Sequence, residues 1–262
     1  MSVSMRIFQP TRLPDRTMRR TARTAGVLYL ITFVSIPTLA LYKPIQDHVG
    51  SFVLGVGSDT GVLWGAFSEV VVGVAGIGTA IVLFPVLKRQ SETAALGLVA
   101  ARVVETSLIF VGVASLLSLM TLRADVSGTA GADTHALVTT GHGLLGVYNG
   151  SFQLSQSLMP IACDLLLGYL LYRSGLVPRI IPRIAFVGAP LLLASDIAVF
   201  FGAYDRTAPL AALAALPIAA FELTIGMWLL LKGFNPASPL LARPTVDLRR
   251  AEPIPSPAST TV

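Results

Sequence analysis

Six long apolar segments alternate with short polar connections along this chain. They cover residues 24–42, 61–87, 94–122, 142–172, 184–204 and 207–231. Each segment is long enough to cross roughly 30 Å of hydrocarbon as an α-helix. The segments are also too long and too uniformly apolar to be the alternating strands of a membrane barrel. The pattern therefore predicts an all-α polytopic membrane protein, built as a bundle of six transmembrane helices.

The two ends of the chain differ in composition from this apolar region. Residues 1–23 contain six arginines, and residues 234–262 contain six prolines with few apolar side chains. Segments of this kind bury too little apolar surface to offset the entropy lost on folding. We therefore expect a single transmembrane domain at 24–233, flanked by a disordered basic N-terminal tail and a disordered proline-rich C-terminal tail.

The positions of the basic residues predict the orientation of the bundle. Fourteen of the 19 Lys and Arg residues lie in the two tails, in the connection 88–93 and in the connection 173–183, and Lys232 directly follows the last segment on the same side. Only Lys43, Arg123 and Arg206 lie in the other connections, and Arg102 lies inside a segment. Because cytoplasmic loops carry the excess of basic residues, we expect both termini in the cytoplasm and an even number of spans.

Composition excludes several classes of protein. The chain is 53% hydrophobic and only 13% charged, with a mean hydropathy of +0.73, whereas soluble domains carry about 25% charged residues. The net charge of +5 does not indicate nucleic-acid binding, since the basic residues form no face that alternates with aromatics. Cys163 is the only cysteine, which excludes a disulfide framework and a cysteine-based metal site. The three histidines match no metal-ligand spacing, so we expect no metal and no cofactor.

Every apolar segment after the first carries one acidic residue: Glu69, Glu105, Asp164, Asp196 and Glu222. An ionised side chain in the middle of a membrane costs at least about 2.5 kcal/mol. Arg102 precedes Glu105 by three residues and lies on the same helix face, so we expect these two to pair. Counting from the cytoplasmic boundaries places Glu105, Asp164 and Glu222 in one layer, and Glu69 and Asp196 in a second layer nearer the outside.

The segment 142–172 has a narrow polar stripe. At about 100° per residue its polar and helix-breaking residues share one face, and these residues are Asn149, Gln153, Gln156, Pro160 and Asp164. Because lipid offers no hydrogen-bond partner, we expect this face to point into the bundle toward Glu105 and Glu222. Ser151 and Ser155 lie on other faces, where each hydroxyl can bond back to its own helix and tolerate lipid or an apolar neighbour.

Four fragments of the chain resemble a known family. They are AGVLYLITFVSIP at 25–37, YRSGLVPR at 172–179, GAPLLLASDIAVFFG at 188–202 and PIAAFELTIGMWLLLKGF at 217–234. These fragments are similar to bacterial membrane proteins grouped as domain of unknown function 4386 (DUF4386). The resemblance implies a helical bundle in the bacterial inner membrane. It implies no activity and no catalytic residue.

The intramembrane acids are open to two interpretations. They could form a proton or cation path or a polar ligand pocket, or they could form hydrogen bonds that hold the bundle together. The leading hypothesis is a non-enzymatic, polar-lined bundle in the lipid bilayer that binds or moves a small solute or protons. The alternatives are a membrane-embedded enzyme that uses a carboxylate on a lipidic substrate, and a structural or sensory partner subunit. The sequence specifies neither the solute nor the oligomeric state.

Overall fold

A computed structural model describes residues 15–126 and 133–241, and within these ranges the chain is helical with no strand. The helices are α1 (Asp15–Thr32), α2 (Ile36–Leu41), α3 (Lys43–Val53), α4 (Thr60–Leu87), α5 (Glu92–Val126), α6 (Thr134–Phe152), α7 (Met159–Ser174), α8 (Ile180–Phe200) and α9 (Pro209–Leu231). A 3-10 turn at Phe33–Ser35 joins α1 to α2, and a π-helical segment at Gln153–Leu158 joins α6 to α7. The all-helical class predicted from the sequence is confirmed.

Five stretches in the described ranges are long and apolar enough to cross a membrane. They are Thr60–Leu87, Glu92–Ala124, Thr134–Ser174, Ile180–Phe200 and Pro209–Leu231, and they contain most or all of the second to sixth predicted segments. Five apolar helices of this length are typical of a multi-pass membrane protein. The first predicted segment is not among them.

The first predicted segment is divided between α1, the 3-10 turn and α2. Pro37, the second residue of α2, has no amide hydrogen to continue the helical ladder from α1. The helix α1 begins at Asp15 rather than at Thr24, because Met18 and Ala22 are buried on the same face as Ala25. The predicted disordered tail 1–23 therefore differs from the structure over residues 15–23, and residues 1–14 lie outside the described ranges.

The fourth predicted segment begins earlier than the sequence indicated. The helix α6 starts at Thr134, where the Asp133 carboxylate accepts hydrogen bonds from the amides of His135 and Ala136, a standard N-cap. The π-helical segment then winds Gln153–Leu158 with a wider turn, just before Pro160 at the start of α7. A wider turn rotates every later side chain relative to α6, so the constant 100° step used for the polar stripe does not hold.

Close backbone contact brings α1 against α9. A Cβ atom on Gly26 would lie 2.5 Å from the backbone nitrogen of Leu230, and one on Gly226 would lie 3.0 Å from the Cβ atom of Tyr29. Any side chain at Gly26 would push the two helices apart. The helix α1 also packs on α4. The arrangement brings Tyr29 and Glu222 into the same part of the bundle.

The start of the predicted C-terminal tail folds back onto the bundle. The Ser238 hydroxyl donates a hydrogen bond to the carbonyl of Ser174 at 2.6 Å, and the Asn235 amide donates to the carbonyl of Leu176 at 2.8 Å. Ser238 is fully buried, and Leu240 and Leu241 pack against the core. The predicted disorder from residue 234 is therefore wrong up to residue 241, since these apolar side chains have a surface to cover. Residues 242–262 lie outside the described ranges.

Candidate functional site

Arg102 and Glu105 form a two-pronged ion pair inside the bundle. Both lie on α5, one helical turn apart, and Nη1 of Arg102 donates to Oε1 of Glu105 at 3.0 Å and to Oε2 at 2.9 Å. The exposed fraction is 3% for Arg102 and 7% for Glu105. The structure therefore places the predicted pair in contact and out of water.

The other end of the guanidinium contacts three more helices. Nη2 of Arg102 lies 3.3 Å from Oε1 of Glu222 on α9, 3.4 Å from the Tyr29 hydroxyl on α1, and 3.9 Å from Oδ1 of Asp164 on α7. We call these five residues the arginine cluster. The three acids that the sequence placed in one layer thus meet around one arginine. Tyr29 was missed, because a tyrosine in an apolar segment gives no distinguishing sequence signal.

The arginine cluster contains more carboxyl groups than one arginine can balance. Asp164 is fully buried, and among the described residues neither of its oxygens, nor the Nε hydrogen of Arg102, has a hydrogen-bond partner. The thiol of Cys163 lies within 3.5 Å of Oε2 of Glu105 and adds no positive charge. With all three acids ionised, the cluster would carry two uncompensated negative charges. Because uncompensated buried charge costs several kcal/mol, the cluster requires protons or a cation.

A cavity of about 160 Å³ adjoins the arginine cluster. It forms where the 3-10 turn interrupts the first helix, opposite α4, α5 and α9. Its walls come from Thr32, Phe33, Ser35, Ile36, Val72, Gly73, Gly76, Arg102, Glu105, Thr106, Gln156, Pro160, Ala219 and Glu222. Part of the wall is apolar and part carries carboxylates. A space of this size holds several water molecules or a small solute.

Glu69 on α4 accepts two hydrogen bonds, one from α6 and one from the π-helical segment. The Tyr148 hydroxyl donates to its Oε1 at 2.9 Å, and Nε2 of Gln156 donates to the same oxygen at 3.2 Å. Glu69 is almost fully buried. Because Gln156 also lines the cavity, this amide joins Glu69 to the space beside the arginine cluster.

Asp196 binds the same π-helical segment from α8. Its Oδ1 accepts a hydrogen bond from Nε2 of Gln153 at 3.1 Å and another from the Ser157 hydroxyl. Its second oxygen is buried and has no hydrogen-bond partner in residues 15–126 and 133–241. The π-helical segment therefore supplies partners to both acids of the expected second layer, with Gln156 on Glu69 and Gln153 on Asp196.

Asn149 joins two segments at the far end of the polar stripe. Its Oδ1 accepts from Nε2 of Gln46 and from Nη2 of Arg206, each at 2.9 Å. The Arg206 guanidinium lies over the Phe152 ring, 4.4 Å from its centre. Desolvation lowers the pKa of Arg206, and the neighbouring Tyr148 and Glu69 oppose that shift. Asn149, Gln153 and Arg206 also line a wider cavity of about 600 Å³ beside the α8–α9 connection.

The polar stripe does not face one layer of acids as expected. Asp164 belongs to the arginine cluster and Gln156 lines the adjoining cavity, whereas Gln153 and Asn149 bind groups elsewhere. The expectation that the whole polar stripe faces Glu105 and Glu222 is wrong, because the π-helical segment turns its side chains toward different groups.

The two serines of this stretch lie inside the bundle, which is one of the two environments expected for them. Ser151 is 7% exposed and Ser155 is fully buried, so both contact protein rather than lipid. None of the described residues forms a hydrogen bond with the Ser155 hydroxyl. The widened π turn places Ser155 inside the bundle, next to the two glutamines that bind Glu69 and Asp196.

The side chains do not form a metal centre in residues 15–126 and 133–241. No three His, Cys, Asp or Glu residues there are arranged to hold a metal ion. The acids of the arginine cluster instead converge on a guanidinium. In the described ranges the site consists of carboxylates, an arginine, a phenol and amides.

Comparison with known proteins identifies the family. The model of the family described as domain of unknown function (DUF4386) matches residues 24–233. This chain belongs to the DUF4386 family. The family resemblance drawn from the four sequence fragments is thus confirmed. No curated protein and no solved structure matches the chain significantly. The DUF4386 description names no activity, so function has to be argued from the arginine cluster and its cavity.

Proposed function

We propose that this DUF4386 protein is a non-enzymatic bundle of the bacterial inner membrane that binds or moves a small solute or protons. The observation that carries the proposal is the excess of acids beside a cavity. Glu222 leaves 19% of its side chain exposed and lines the cavity. Its arginine partner is already bound by both oxygens of Glu105. A carboxylate in that position is available to a proton or to a solute.

The proposed topology has six spans with both termini in the cytoplasm. Five apolar helices support five of the spans. The sixth consists of the apolar half of α1, the 3-10 turn and α2, which all pack on α4. With six spans, the basic residues of the tails and of the 88–93 and 173–183 connections all lie on one side, as the positive-inside rule requires.

A series of polar side chains leads from the wider cavity at one end of the bundle toward the arginine cluster, which supports access of a solute or protons from that end. Gln153 lines the wider cavity beside the α8–α9 connection and binds Asp196. One turn further along the same segment, Gln156 binds Glu69 and lines the cavity of the arginine cluster. In a membrane bundle, polar groups at such depth commonly mark a substrate or proton pathway. A subunit that served only to pack against a partner would need neither cavity.

Proton exchange by reconstituted protein tests this proposal. Proteoliposomes with a trapped pH-sensitive dye receive an external pH step, with and without panels of small amines, carboxylates and alcohols. We expect the protein to speed equilibration of the dye, or to bind at least one member of the panel. Glu222→Gln should abolish the effect, because it keeps the shape of the side chain and removes its ionisation.

Glu92→Gln is the matched control. It makes the same chemical change on an exposed residue in the first turn of α5, so it should behave as the unaltered protein. The proposal fails if liposomes with and without the protein equilibrate equally and no solute binds. It also fails if Glu222→Gln and Glu92→Gln cannot be distinguished.

A further inference from the structure

Two acids of the arginine cluster differ in their access to the cavity. Glu222 lines the cavity and keeps part of its side chain exposed there. Asp164 is fully buried and does not line the cavity. Within the part of the chain that the structure describes, neither of its oxygens has a hydrogen-bond partner, although Oδ1 lies 3.9 Å from Nη2 of Arg102. A solute in the cavity can therefore reach Glu222 directly but not Asp164.

The charged and titratable groups around Glu222 come from three helices. They are Tyr29 on α1, Arg102 and Glu105 on α5, and Cys163 and Asp164 on α7. The α4 wall of the cavity contributes Val72, Gly73 and Gly76, none of which carries charge. The guanidinium balances one of the three carboxylates. One monovalent cation and one proton would balance the other two.

The walls of the cavity indicate what kind of cation fits. Phe33, Ile36, Val72 and Ala219 form an apolar part, which suits a short alkyl group. Glu222 supplies carboxylate oxygens, and Gln156 keeps its amide oxygen free to accept because its nitrogen donates to Glu69. An alkylammonium ion matches both parts. A bare metal ion fits poorly, since the described ranges contain no group of three or more His, Cys, Asp or Glu side chains arranged to hold one.

We propose that the cavity binds a small primary alkylammonium ion, with Glu222 as its counter-ion and with the proton of the cluster held on Asp164. This inference rests on the proposed function and names its solute class. A primary ammonium group stays protonated at neutral pH and brings three hydrogen-bond donors. These donors meet the excess of acceptors at Glu222 and Gln156. Arg102 also lines the cavity, but its guanidinium is already bound by Glu105 and Glu222, so an anion in the same place would face the uncompensated acids.

Three probes of nearly equal size and different charge test the inference. Propylamine, propanol and propionate are titrated into the purified protein in detergent, and binding is followed by calorimetry and by thermal unfolding. We expect propylamine to bind and to raise the unfolding temperature, because a ligand that binds only the folded state stabilises it. Propanol and propionate should bind at least tenfold more weakly. Binding of propylamine should weaken toward acidic pH, since protons compete for Glu222.

Substitutions test separately the charge of Glu222 and the shape of the cavity. Glu222→Gln should weaken propylamine binding at least tenfold, whereas Glu92→Gln should leave it unchanged. Ala219→Leu should also abolish binding, because it fills the apolar part of the cavity without altering any charge. If Glu222→Gln yields too little folded protein, Ala219→Leu provides the second test of the site.

The outcomes distinguish this inference from the function on which it rests. If propanol or propionate binds as tightly as propylamine, or if Ala219→Leu and Glu222→Gln bind propylamine normally, the ammonium site is refuted. If Glu222→Gln loses proton exchange while the unaltered protein does not bind propylamine, the proposed function stands and the proposed solute class is wrong. If proton exchange and all solute binding are absent, both are wrong.

Discussion

Removal of the Arg102 charge tests how the arginine cluster is held together. Arg102→Met keeps much of the side-chain length but leaves Glu105 without its two-pronged partner and leaves Glu222 and Asp164 without a cation. Removing one partner of a buried ion pair costs about 3–5 kcal/mol, because the remaining charge is buried and uncompensated. For a chain of this size, each 1 kcal/mol lowers the unfolding temperature by about 2–4 °C. We expect Arg102→Met to unfold about 6–20 °C below the unaltered protein.

The double variant Arg102→Met/Glu105→Gln should recover part of this loss. It also removes the charge of Glu105, whose two oxygens both accept hydrogen bonds from Arg102. Fewer uncompensated negative charges then remain buried than in Arg102→Met alone. Coupling energies between contacting residues are about 0.5–3 kcal/mol, which corresponds to a rescue of about 1–12 °C. The rescue should be incomplete, because Asp164 and Glu222 still lack their cation.

Thermal unfolding of detergent-purified protein, followed by tryptophan fluorescence, measures these differences. Arg173→Met is the matched control, because Arg173 is exposed in the last turn of α7, and it should change the unfolding temperature little. The reasoning is refuted if Arg102→Met behaves as Arg173→Met does. It is also refuted if the double variant unfolds at or below the temperature of the single variant.

Three further predictions concern topology, packing and protonation. Reporter fusions at Pro178 and at the C-terminus should both behave as cytoplasmic; a periplasmic result at either excludes the six-span topology. Gly26→Val should lower the unfolding temperature much more than Gly146→Val. A Cβ at Gly26 would lie 2.5 Å from the backbone nitrogen of Leu230 on α9, whereas a Cβ at Gly146 would meet no described atom of a neighbouring segment within 4 Å. Equal shifts in the unfolding temperature would contradict the close packing of α1 and α9. Asp164→Asn should fold nearly as well as the unaltered protein and lose proton exchange; normal exchange in this variant would exclude Asp164 as the residue that holds the proton. Asp164→Leu should lose proton exchange and also reduce the folded yield, because it removes the polar contact between residue 164 and Arg102.

Features that depend on neighbouring residues in the chain could be predicted from the sequence. The long apolar runs predict helices wherever they occur, because a backbone in an apolar environment has to satisfy its own hydrogen bonds. Arg102 and Glu105 could be paired in advance for a similar reason, since the helix itself places residues three apart on one face. The family could also be identified from local fragments. None of these inferences needs knowledge of which helices touch.

Contacts between distant helices were decided only by the tertiary structure. Depth alone placed Glu105, Asp164 and Glu222 in one layer, but it could not show that all three meet one guanidinium or that Tyr29 joins them. That meeting depends on the rotation of each helix about its axis, which the close approach at Gly26 sets for α1 and α9.

Local irregularities were the second feature that the sequence did not reveal. The π-helical segment sends Gln153 to Asp196 and Gln156 to Glu69, and the 3-10 turn opens the cavity beside Glu222. Pro37 and Pro160 lie close to these two irregularities, but proline is tolerated in membrane helices without one fixed outcome. How a helix adjusts near a proline depends on which neighbours can satisfy its freed backbone groups, and those neighbours come from elsewhere in the chain.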